Sequence, residues 1–203
     1  MSVSPSPIEF FFDFSSPYAY LASTSIDAIA AKHGRIVAWK PMLLGAVFKV
    51  TGSKPLVEWP LKGAYARHDM VRSARRVGLA LNFPAAFPFS SIAAARAFYW
   101  LAGTDPDRAV AFAQAVFDTA FVKAQDVSGS QAVAEIATQV GCSAEALLAA
   151  IALPEWKERL RAETDRALEL GVFGAPTMIV DGEKFWGADR LDHLDDWLAR
   201  GGW

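Results

Sequence analysis

The chain has a single cysteine, Cys142, in 203 residues. One thiol excludes an internal disulfide, a CxxC redox pair and a cysteine-built zinc site. It lies in GCSAEALL, where Ser143 opens a helical stretch, so it reads as a packed structural thiol. Histidine is scarce too: His33, His68 and His193 lie far apart and form no HExxH or HxxxH pair, so no metal site is assigned. No run of about 18 apolar residues is present to span a bilayer. The first seven residues, MSVSPSP, lack the basic start and apolar centre of a signal peptide. Neither sign of charge dominates, with 20 Lys and Arg against 22 Asp and Glu. A net charge of −2 argues against a general nucleic-acid or membrane-surface binder. The chain reads as a soluble, cytoplasmic protein.

What is abundant is apolar sequence, 53% of the chain, enough for one domain with a sizeable insertion or for two small ones. The most informative stretch is Phe10 to Ala22, FFFDFSSPYAYLA. The apolar run from Ile8 to Phe14 reads as a buried strand, and Ser16-Pro17 turns it into a helix. Pro is favoured at the first helical position because its missing N–H would go unpaired, and Ser is a favoured N-cap. The junction presents free amides, a hydroxyl and the positive end of a helix dipole, a setting for a phosphate, a carboxylate or a thiolate. Ser16 as a simple cap is the plainer reading.

The helical spacing continues to Gly34, and Arg35 to Pro41 reads as a second strand, parallel to the first in a βαβ unit. From Met42 to about Glu169 the pattern is mostly helical. Leu43 to Val50 is a short apolar segment and Thr51 to Pro60 a loop. Helices are expected over Ala64 to Leu79, Ser91 to Leu101, Asp107 to Phe121, Ser130 to Val140, Ala144 to Ile151 and Pro154 to Leu170. A loop with Pro84 and Pro88 spans Asn82 to Ser90. Thr177 to Val180, Asp181-Gly182 and Lys184 to Trp186 form a hairpin, and a last helix starts near Asp189. The order is β-α-β, helical insertion, α-β-β-α. This is an α/β, thioredoxin-like fold with an all-helical insertion: residues 8–41 and 155–203 form the discontinuous thioredoxin-like domain, and residues 42–154 form the inserted one.

On four motifs, FDFSSPYAYLA, GSKPLVEWPLKGAY, VFGAPTMIV and FWGADRL, the sequence resembles the DsbA-like thioredoxin superfamily. Within it the likeness is to 2-hydroxychromene-2-carboxylate isomerases and kappa-class glutathione transferases. The motifs span almost the whole chain in order. Where redox members hold CxxC, this chain has Ser16, Pro17, Tyr18 and Ala19, so dithiol oxidoreductase chemistry is excluded there. The resemblance implies glutathione as cofactor, with Ser16 donating its hydroxyl hydrogen to the thiolate. It implies a cis bond at Ala175-Pro176, with Ala175 holding the cysteinyl backbone. It assigns the γ-glutamyl end to Ala188 and Asp189, and the glycyl end to Lys62. Alone, Asp189 also reads as a helix cap and Lys62 as a surface charge. Ser53 stands where the family often has Asn.

For a small aromatic carboxylate substrate the candidates are Lys49 and the rings of Tyr18, Phe48, Trp59 and Tyr65, and the Arg72, Arg75 and Arg76 face reads first as solvated. Asp13, at the end of the first strand, reads as a support. The implied activity is a glutathione-dependent isomerase that interconverts 2-hydroxychromene-2-carboxylate and trans-o-hydroxybenzylidenepyruvate. A kappa-like transferase acting on small electrophiles is the near alternative, and a non-catalytic thioredoxin-like peptide binder the distant one. Related proteins are commonly dimers, which implies a homodimer.

Overall fold

A computed structural model describes residues 5–203, so the first four residues of the polar MSVSPSP tail lie outside the described part. Strand β1 (Ile8–Phe12) is apolar except at Glu9, and it buries apolar side chains on both of its faces. Ile8, Phe10 and Phe12 point into one core, and Phe11 points into another with Met42, Val47, Ala167, Val172 and Ile179. β1 pairs in parallel with β2 (Val37–Pro41) and antiparallel with β3 (Thr177–Val180), which turns back into β4 (Glu183–Trp186). The sheet order is β2-β1-β3-β4. The β-α-β start and the β-β-α end expected from the sequence are both present.

The single helix expected between β1 and β2 is two, α1 (Pro17–Ser23) and α2 (Ile26–Lys32). The break follows from side-chain competition for helix carbonyls. The Ser23 hydroxyl donates to Tyr20 O at 2.7 Å and the Thr24 hydroxyl to Leu21 O at 2.8 Å. The segment read as merely apolar is helix α3 (Leu44–Thr51). Its first N–H has a partner from outside, since Leu44 N–H donates to Asp13 Oδ2 at 2.8 Å.

A 3-10 turn (Leu56–Glu58) leads into α4 (Lys62–Arg76), which starts two residues earlier than expected and ends before Gly78, where φ is +75°. Then follow α5 (Ile92–Ala102), α6 (Pro106–Phe121), α7 (Ser130–Thr138), α8 (Ala144–Ala152) and α9 (Pro154–Glu169). The last helix, α10 (Leu191–Arg200), is preceded by a 3-10 turn (Ala188–Arg190) that takes up the Asp189 position. No described helix is long and apolar enough to cross a membrane.

One aromatic cluster joins sheet and helices. Phe12 packs on Phe98 and Phe117, Phe14 on Phe117, and Tyr20 on Phe117 and Phe121. These contacts hold the carboxyl end of β1, and with it the Ser15-Ser16 turn, against α5 and α6.

Candidate active site

Ser16 is the N-cap of α1, with Pro17 beginning the helix. Ala19 N–H donates to Ser16 Oγ at 3.2 Å, and the Ser16 hydroxyl donates to Ala175 O at 3.0 Å. The side chain is therefore both a cap and a bridge to the loop before β3. The Ala175–Pro176 bond is cis. Ala175 N–H has no hydrogen-bond partner among the described residues, and Gly187 N–H donates to Pro176 O at 2.9 Å. That last bond fixes the Ala188–Arg190 turn beside the Ala175 loop. A second cis bond, Phe87–Pro88, had no signal in the sequence beyond the proline.

Asp13 supports the turn from beneath. Its carboxylate accepts from Ser15 N–H and Leu44 N–H, each at 2.8 Å, and from the Ser91 hydroxyl. Burial raises its pKa above the ordinary carboxyl value, and the three hydrogen bonds work against that rise. The Ser15 hydroxyl in turn accepts from Phe89 N–H at 3.0 Å. The turn is thus fastened to α3, α5 and the Phe89 loop.

Around Ser16 opens a cleft of about 1830 Å³. A site for one small molecule is typically about 300–1,000 Å³, so this one has room for two. Ser16, Pro17, Tyr18 and Ala175 line its floor, and Ala188 and Asp189 line it from the turn before α10. Phe48, Lys49, Ser53, Trp59 and Lys62 line it from α3 through the first residue of α4. Pro176 and Tyr65 are not among the lining residues. Tyr65 is 60% exposed and its hydroxyl accepts from Arg72 at 3.0 Å, so the expected aromatic ring set loses that member.

The Asp189 carboxylate makes no capping bond. Neither the 3-10 turn nor α10 has a side-chain cap, and Asp189 is 72% exposed with Arg190 at 3.4 Å. The cap reading fails because the backbone there is a 3-10 turn begun by Gly187, at a φ of +107°. Ser53 is exposed, lines the cleft, and donates its N–H to Phe48 O at 3.1 Å.

Several lining groups were not foreseen. Lys54 stands 4.6 Å over the Trp59 ring. Asp69 accepts from the Tyr18 hydroxyl at 2.8 Å and from Arg72. Burial raises the Tyr18 pKa first, and the hydrogen bond and charge of Asp69 raise it further, so the phenol is a neutral donor. Burial opposes the Asp69 carboxylate, yet bonds from Tyr18 and Arg72 outweigh it and hold its pKa below the ordinary value. Tyr18 and Asp69 are 51 residues apart, and no sequence period links them. Of the three arginines read as one solvated face, Arg72 is tied to Asp69, and Arg76 alone lines the cleft.

Comparison with known proteins follows the same outline. A family model described as the DSBA-like thioredoxin domain matches residues 7–199. The chain is 31% identical over 195 residues to a 2-hydroxychromene-2-carboxylate isomerase of Sphingobium xenophagum, covering 94% of this chain and 97% of the relative. It is 26% identical over 206 residues to glutathione S-transferase kappa 1 of Homo sapiens, covering 96% and 91%. A solved structure of 2-hydroxychromene-2-carboxylate isomerase superposes with a TM-score of 0.87 at 27% identity, covering 96% of this chain and 95% of that one. With a match that runs nearly from end to end, the chain belongs to the DsbA-like thioredoxin family, on the branch that holds the 2-hydroxychromene-2-carboxylate isomerases and the kappa glutathione transferases.

Proposed function

We propose that this chain is a glutathione-dependent isomerase acting on 2-hydroxychromene-2-carboxylate and its trans-o-hydroxybenzylidenepyruvate isomer. The observation that carries the reading is the pairing of Ser16 with the Ala175 carbonyl across the cis bond. A hydroxyl stands at the helix terminus where redox relatives hold a cysteine, and the chain's one thiol, Cys142, is buried between α7 and α8 and does not line the cleft.

The residues fit glutathione. Ala175 offers a backbone N–H without a partner, and Lys49, Lys54 and Lys62 line the same cleft with no ion pair among the described residues. Asp189 keeps its carboxylate free of capping for an ammonium group. Rotation of the Ser16 hydroxyl away from Ala175 O does two things at once: it frees that carbonyl to accept a backbone N–H, and it turns the hydroxyl hydrogen toward a sulfur.

Bound there, glutathione supplies a thiolate whose reversible addition turns a double bond into a rotatable single bond without any redox change. Lowering a thiol pKa of about 8.5 by about two units requires roughly 2.7 kcal/mol in favour of the anion. The α1 terminus can contribute up to about 2 kcal/mol and one hydrogen bond to a charged group about 1.5–3 kcal/mol. Ser16 and the first-turn amides suffice. Ser16 acts as a hydrogen-bond donor and removes no proton.

The 26% identity to a kappa transferase supports a second reading, conjugation of small electrophiles at the same site. Absorbance-followed interconversion of the two isomers, with and without catalytic glutathione, tests both. Turnover that requires glutathione and leaves it unconsumed is expected. Stoichiometric loss of the thiol would select the transferase, and turnover independent of glutathione would sink both.

A further inference from the structure

Helix α5, IAAARAFYWLA, holds one charged residue, Arg96. It lines a second recess, of about 290 Å³, whose other walls come from the start of α7 and the end of α8. Ser90, Ser128 and Ser130 line it too, and the remainder is apolar, chiefly Ile92, Leu148 and Ile151. No Asp or Glu is among the lining residues, so the recess carries one full positive charge and no negative one.

A guanidinium has five N–H donors, and most of those on Arg96 are unused. Nη1 donates to Ile151 O at 3.3 Å, one of the last carbonyls of α8. Nε is enclosed and has no acceptor, and Nη2 has no partner among the described residues. Arg96 is partly buried and makes no ion pair among those residues. A charge drawn partly out of water is unfavourable until acceptors or a counter-charge meet it. The serines add donors: the Ser90 and Ser130 hydroxyls have no partner among the described residues, whereas that of Ser128 is bonded to Asp126, which does not line the recess. Helix α7 opens between Ser128 and Ser130 on Gly129, without a side-chain cap, so its first N–H groups stand unpaired beside the same recess.

We infer that this recess is a phosphate site, taking inorganic phosphate or the head of a small phosphate monoester on Arg96, Ser90 and Ser130. A phosphate presents three or four acceptor oxygens to donors that stand on different elements, where a carboxylate presents two in one plane. The volume lies at the lower end of the range of about 300–1,000 Å³ for small-molecule sites, which suits an ion or a short ester. The site stands apart from the proposed function, which uses the main cleft. Ser90 and Ile92 line both spaces, however, and the main cleft has lysines of its own, so the experiment must separate the two.

The test is calorimetric titration of the full chain with inorganic phosphate at neutral pH and fixed ionic strength, with acetate as the planar comparison. Saturable phosphate binding is expected within about 10 mM, and Arg96→Gln is expected to weaken it by about tenfold or more. Ser130→Glu places a carboxylate at an exposed first helical position, where it suits the helix, and should weaken phosphate as much without lowering Tm. That variant keeps the test open if Arg96→Gln does not fold, and Lys62→Gln should leave the affinity unchanged. No saturation in the unaltered chain, unchanged affinity in either folded variant, loss in Lys62→Gln, or acetate bound as tightly as phosphate would each overturn the assignment. Ethyl phosphate distinguishes the sources: tighter binding than inorganic phosphate identifies an ester as the ligand, and weaker binding identifies the free anion.

Discussion

Ser16 holds two hydrogen bonds that compete with the role proposed for it. As an N-cap it accepts from Ala19 N–H, and as a donor it closes on Ala175 O. Ser16→Ala therefore costs stability as well as chemistry. Loss of the cap costs about 1 kcal/mol, which lowers Tm by about 2–4 °C in a chain of this size. Loss of a hydrogen bond to a thiolate, about 1.5–3 kcal/mol, lowers glutathione-dependent turnover by roughly 10- to 100-fold. The diagnostic readout is the pH dependence of thiolate absorbance in the bound tripeptide, whose midpoint should move up in the variant. An unmoved midpoint with full turnover would remove Ser16 from the mechanism.

At the scale of elements, the loop between α3 and α4 carries Ser53, Lys54 and Trp59, Lys62 opens α4, and one glycine seats the junction. A Cβ on Gly63 would lie 2.3 Å from Val57 O and 2.8 Å from Val57 C, both backbone atoms that have no rotamer to yield. Gly63→Ala must push the 3-10 turn away from α4. Overpacking of this kind costs about 1–3 kcal/mol. Because Lys62 is adjacent, glutathione affinity should fall along with Tm, and calorimetry beside a thermal melt reads both. Unchanged affinity would detach this loop from the binding site.

The elements that were legible in the sequence are those with local causes: β1 and β3 by apolar runs, the β3–β4 turn by Asp181-Gly182, and α6 by its apolar spacing from Asp107 to Phe121, although its Asp105 cap and Pro106 start went unread. The helical nature of α3 was hidden because its free N–H is satisfied by Asp13, 31 positions earlier. The break after Ser23 was hidden because it comes from two hydroxyls turning back on carbonyls within a helical pattern. The motifs brought the Ser16, Ala175 and Asp189 segments to one cleft, whereas Asp69 and Arg76 carry no motif. Three arginines within five residues look alike in a sequence, and only the orientation of α4 separates Arg76 from Arg72.

At the scale of the molecule, the inserted helices and the sheet share a core. Division into residues 8–41 with 155–203 and residues 42–154 is a proposal about the order of the chain; stability depends on what is buried between the parts. Phe117, on α6, is fully buried and packs on Phe12 and Phe14 from the sheet side, Tyr20 from α1 and Phe121 from its own helix. No seam runs between strand and insertion at this point. Phe117→Ala removes the ring common to all four contacts and should cost about 3–5 kcal/mol, a fall in Tm of roughly 10 °C. If sheet and helices share one cooperative core, circular dichroism and tryptophan fluorescence will report a single coincident transition in the parent chain and again, lower, in the variant. Two transitions, with only the helical one shifted by Phe117→Ala, would instead mean that the insertion melts as an independent body. The Ser16 turn would then owe its position to the Asp13 hydrogen bonds rather than to the aromatic cluster behind it.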